Sequence, residues 1–68
     1  MNENLVGLVG LVTTTIPAGG LGEVRLPVRG GTTFPAYGAN RGVPIPTGSR
    51  VTVVEHYPPR TLVVNADS

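Results

Sequence analysis

The sequence predicts an all-β fold, a small barrel of five strands, on three observations. Ten glycines and seven prolines interrupt 68 residues so often that few segments are long enough for a stable helix. No stretch sustains an apolar period of 3.6 residues. Apolar residues recur instead at every second position in short β-rich runs: Val24, Leu26 and Val28, then Val51 and Val53, then Leu62 and Val64.

The first element is the run LVGLVGLVTTTIP, Leu5 to Pro17. Crossing a bilayer core takes roughly 20 apolar residues, and this run gives out at Thr13. Three valines, three threonines and the glycines Gly7 and Gly10 all disfavour a helix, so the run predicts a long strand. Apolar side chains on both parities predict that both faces of it are covered. Gly7 and Gly10 mark places where it bends or lets a second backbone approach.

After the turn Pro17 to Gly22, the stretch EVRLPVR alternates, with Val24, Leu26 and Val28 on one face and Arg25, Pro27 and Arg29 on the other. Pro27 donates no ladder hydrogen bond, which predicts either an edge strand or an amide position turned away from its neighbour, and Gly30 with Gly31 predicts a tight hairpin. A third strand pairs Phe34 with Ala36 on one face and Pro35 with Tyr37 on the other. The loop Asn40 to Ser49, punctuated by Gly42, Pro44 and Pro46, leaves Ile45 to plug inward. The fourth strand is RVTVVEHY, and Pro58-Pro59 turns the chain into the fifth, TLVVNA. The predicted strands thus lie near 5–16, 22–29, 32–39, 49–57 and 61–66 within one domain spanning 1–68. A long bent first strand, a hairpin, a longer connection and a final hairpin describe a five-stranded Greek-key β-barrel of OB-fold type; an SH3-like barrel is the alternative.

Composition narrows the function classes. Without cysteine there is no disulfide framework or thiolate metal site, and a net charge of +1 gives no strong pull toward nucleic acid or anionic lipid. All five basic residues are arginine. MNEN lacks a basic n-region, and no small-residue cleavage pattern follows the apolar run, so no signal peptide is predicted.

Catalysis needs a nucleophile, a base within reach and an orienting group. His56 is the only histidine, Ser49 and Ser68 the only serines, and adjacent Glu55 and His56 point to opposite faces of a strand. The sequence therefore predicts no enzyme. One histidine without a carboxylate cluster completes no metal site, and no cofactor is expected. Gly19, Gly20 and Gly22 are not followed by the Lys-Ser/Thr of a phosphate loop and read as turn glycines.

The ordered series Gly7 and Gly10, Pro17 and Gly20, Gly22 and Val24, Phe34-x-Ala36, Gly42, Ile45, Gly48, Val51 to Val54 and Leu62-x-Val64 resembles the soluble C-terminal domain of the NfeD family almost end to end. The resemblance implies an OB barrel attached to membrane-spanning helices outside these residues, at the cytoplasmic membrane surface. It also implies a partner of the stomatin, prohibitin or flotillin-like membrane scaffold class. Two departures stand out: Phe34-Pro35 where the family usually has tryptophan, and HYPPR, His56 to Arg60, where a short Asp-Gly turn is common. Some long relatives carry a serine protease domain, but nothing of it lies in these residues.

The expected function is a non-enzymatic protein-interaction module. Its candidate contacts are Arg25, Arg29 and Tyr37 outside strands two and three, with Tyr57 and Arg60 at the last hairpin, since Tyr and Arg dominate interface hot spots. The alternative is a single-stranded nucleic-acid-binding OB module using Arg25, Arg29 and Tyr37 as a basic, stacking track.

Overall fold

The computed structural model describes residues 4–67. Five strands, β1 (Val9–Thr14), β2 (Leu21–Leu26), β3 (Thr32–Gly38), β4 (Arg50–Tyr57) and β5 (Thr61–Ala66), close into a barrel in the order β1-β2-β3-β5-β4. β1 pairs antiparallel with both β2 and β4, and β3 pairs in parallel with β5. This is the OB-fold arrangement rather than the SH3-like alternative.

The inward parity of every strand supplies the core. Val12, Val24, Leu26, Phe34, Ala36, Val51, Val53, Leu62 and Val64 are buried, and among the described residues no polar or charged side chain is. Each fully buried aliphatic contributes about 1.5–3 kcal/mol relative to exposure, and a chain without cysteine cannot supplement this with disulfides. Gly10 and Gly22 also face inward, where strands approach too closely for a side chain. A Cβ at Gly10 would stand 2.6 Å from the Arg25 carbonyl oxygen, and one at Gly22 would stand 2.6 Å from that of Thr14 and 2.7 Å from Ile16 Cα.

The long connection between β3 and β4 is fixed by the plug expected of Ile45. It is buried and forms a bridge with Ile16 through two backbone hydrogen bonds, of 2.9 and 2.8 Å. A contact between the Thr15 and Thr47 hydroxyls (3.0 Å) and Arg41 donating to the Gly19 carbonyl (3.1 Å) tie down the same end.

The structure corrects the expectations for the first two strands. β1 begins at Val9 rather than near 5, because Gly7 has φ +94 and turns Leu5 into the core. β1 is not covered on both faces: Val9 and Leu11 point outward into solvent. β2 ends at Leu26 rather than 29, because Pro27 lacks an amide donor and Arg29, Gly30 and Gly31 all have positive φ. It lies between β1 and β3, so of the two readings of Pro27 the edge strand is excluded and Pro27 falls just past the paired residues; the turn is a five-residue connection, 27–31, rather than Gly30 with Gly31 alone.

Pro35 is accommodated inside β3 by the ladder geometry. The Thr13 hydroxyl donates to the Glu23 carbonyl (3.4 Å) on the β1 side, which makes Glu23 and Pro35 a non-hydrogen-bonded pair. The missing amide then faces β5, whose pairing with β3 starts at Ala36.

Gly22→Ala is expected to destabilise the domain by about 2 kcal/mol, because the obstacles are backbone atoms that cannot repack. At Gly42, where a Cβ meets only Asn40 Oδ1 at 3.9 Å, the same change should be neutral to within about 0.5 kcal/mol. Urea unfolding of both variants measures the difference.

Candidate interaction surface

Closure of the barrel places β1 between two arginines. In the cross-strand register Leu11 stands opposite Arg25 on β2 and opposite Arg50 on β4, so that Arg25, Leu11 and Arg50 form one outward row across three strands. Opposed side chains on adjacent strands have Cβ atoms about 4.5–5.5 Å apart, so each arginine stem flanks Leu11 directly. Beside this row lie Val9 and Pro27, and together with Gly30 and Gly31 these residues line a shallow open groove of about 560 Å³. Leu11 is 53% exposed and Val9 45%, so the floor of the groove is apolar side chain offered to solvent.

The two guanidinium groups differ in how they are held. Arg25 Nη2 reaches toward the Gly30 carbonyl at 3.5 Å, and a Cβ at Gly31 would overlap its guanidinium. Arg25 therefore lies against the glycine wall of the groove. Arg50 makes no hydrogen bond or ion pair through its side chain with any described residue. None of Glu23, Glu55 and Asp67 lines the groove, so its charged rim carries one sign.

Of the five candidates taken from the sequence, Arg25 alone belongs to this groove. Arg29 does not share a strand face with Arg25, a correction to the sequence reading: it sits in the β2–β3 connection with φ 52. Tyr37 lies at the far end of the β2–β3 ladder from Arg25, opposite Leu21, with the Arg41 guanidinium 5.0 Å from its ring centroid. Arg60 donates to the Thr33 carbonyl (2.7 Å) and lies 4.9 Å over the Phe34 ring, so it closes the stretch of β3 that precedes the β5 ladder. Tyr57, 53% exposed, ends β4 at the opposite end from Arg50. Arg50, Val9 and Leu11 are not among the sequence candidates; the apolar parity of Val9 and Leu11 is the one sequence signal for them, and it does not separate an exposed face from a buried one.

The polar residues near the last hairpin are occupied locally. Tyr57 Oη donates to Glu55 Oε1 (3.0 Å), and His56 Nε2 donates to the Pro59 carbonyl (3.3 Å). Among the described residues, no group of three His, Cys, Asp or Glu side chains is placed to hold a metal, and no hydrogen bond links Ser49 to His56. Among the described residues no helix is long and apolar enough to cross a membrane.

The Glu55 carboxylate accepts the Tyr57 phenol proton and repels the phenolate, so the Tyr57 pKa is raised above 10.0. Glu55→Gln removes the charge and should lower that pKa toward the ordinary tyrosine value. Ultraviolet titration of wild type and variant, each in a Tyr37→Phe background, checks the sign.

Comparison with known proteins accounts for this barrel. The family model of the NfeD C-terminal domain matches residues 9–65. The chain is similar to the C-terminal domain of stomatin operon partner protein 1510-C from Pyrococcus horikoshii, with 26% identity and a TM-score of 0.75 over 94% of this chain and 89% of that one. It is also similar to the soluble domain of the NfeD protein YuaF from Bacillus subtilis, with 30% identity and a TM-score of 0.75 over 88% of this chain and 70% of that one. No curated protein sequence matches it. With the family model spanning the barrel from the first residue of β1 to the penultimate residue of β5, the chain belongs to the NfeD C-terminal domain family.

Proposed function

We propose that this domain is a non-enzymatic docking module of a membrane-anchored protein, and that it holds a membrane scaffold protein of the stomatin, prohibitin or flotillin class. The observation that carries the reading is the likeness to the P. horikoshii domain, which belongs to a stomatin operon partner protein and aligns with 94% of this chain. The surface chemistry agrees with it. An apolar strip rimmed by arginine is the composition that interface cores favour, whereas nothing in the site supplies a nucleophile with its base. Arg25 is a contact residue in this reading, and Tyr57 the second exposed anchor at the far end of β4. Arg29, Tyr37 and Arg60 contribute at the margins, the last two already engaged with Arg41 and Phe34. The membrane anchor lies outside these residues, and the domain works at the cytoplasmic surface as a single folded unit.

The competing reading, a single-stranded nucleic-acid track along β2 and β3, lacks a continuous line of contacts. Arg29 is off that face, and Arg25 and Tyr37 stand four residues apart along the ladder, about 13 Å at strand rise.

Calorimetric titration of the chain with a purified stomatin-like protein from the same organism is expected to give a dissociation constant of about 10 µM or tighter. An oligothymidylate should show no saturable binding at the same concentrations. Saturable, salt-sensitive binding of the oligonucleotide with none of the protein would replace this reading by the alternative.

A further inference from the structure

Resting on that reading of the domain as a protein-docking module, we infer that the row Arg25, Leu11 and Arg50 receives an extended acidic segment of a partner protein, in which one apolar side chain is bracketed by two carboxylates. The register places an exposed leucine between two guanidinium groups on neighbouring strands, and no carboxylate of the described residues lines the groove. Among the described residues Arg50 has no side-chain partner, and Arg25 is kept along the wall by Gly30 and Gly31 with most of its donors unused. Guanidinium groups satisfy carboxylates through paired, planar hydrogen bonds, so this rim selects an acidic occupant and leaves the floor to an apolar one.

The spacing sets the pattern of the segment. In extended chain, positions i, i+2 and i+4 face one way, and the outer two lie about 13 Å apart. The two arginine stems are separated by two strand spacings, about 10 Å, and their side chains reach outward from there. A segment of the form acid-x-apolar-x-acid, lying across the strands, sets its apolar side chain on Leu11 and Val9 and its carboxylates on Arg25 and Arg50. A flat anionic membrane fits less well, because two arginines contribute only about 2 kcal/mol toward an anionic surface and nothing in a lipid headgroup layer requires the leucine between them.

The test uses the ¹⁵N-labelled chain and the synthetic peptide acetyl-Ser-Glu-Thr-Leu-Thr-Glu-Ser-amide, titrated to millimolar concentration. Expected are amide shifts at Val9, Leu11 and Thr52 and shifts of the Arg25 and Arg50 Nε–H resonances. Replacing both glutamates of the peptide by glutamine should weaken binding at least tenfold. Arg50→Gln in the chain should weaken it similarly while leaving the free spectrum folded, since that side chain supports nothing else; Arg50→Lys should retain part of it. No shift on this face, equal binding of the glutamine peptide, or binding confined to phosphatidylglycerol vesicles would overturn the inference. If a stomatin-like protein binds and the Arg25→Gln/Arg50→Gln double variant binds it equally well, this inference falls and the docking function stands. If the peptide binds as expected and no stomatin-like protein does, the groove stands and the partner class falls.

Discussion

Pairing of β1 with β2 on one side and β4 on the other is the constraint from which the rest of the structure follows. A sheet of five strands covering so small a core closes only if its first strand, already paired with β2, also pairs with β4. For β1 this requires close backbone approach at Gly10, under Arg25 and Leu26, and at Gly22, under Thr14 and Ile16. With these positions bare, Val12, Val24 and Val51 converge within a single apolar interior, and Ile16 and Ile45 seal the segment that carries no strand.

Closure also decides what kind of recognition is left to the domain. The one stretch of β3 without a β5 neighbour lacks an amide at Pro35, and Arg60 takes its Thr33 carbonyl, which discourages strand addition there. The proposed partner would then be read by side chains on the outer face. That face is most apolar on β1, where the strand closing the barrel turns Val9 and Leu11 outward. The same pairing that closes the core thus assembles the arginine-flanked row, so the surface is a by-product of the seam.

Much of the interior was legible in the sequence because period-two alternation is local. Phe34 with Ala36, Val51 with Val53 and Leu62 with Val64 are all buried as their parity requires, and Ile45 stood out as a large apolar residue in a loop of glycine and proline. The strand ends were not legible, since they depend on the positive φ of Gly7 and of Arg29, and arginine gives no sequence signal for that conformation. The candidate surface was legible only at Arg25. Arg50 opens a strand on the parity opposite Val51 and Val53, which marks it only as outward, and its meaning comes from registry with Leu11, a long-range fact. The run LVGLVGLV predicts burial on both faces because nothing local distinguishes a two-sided core strand from the seam of a barrel.

Cross-strand proton contacts from residue 11, measured by solution NMR on the chain, address the seam most directly. The account predicts backbone contacts from Leu11 to both Arg25 and Arg50, at the short separations of antiparallel pairs. Contacts from Leu11 to only one of them would mean an open sheet, with neither the seam nor the row built upon it.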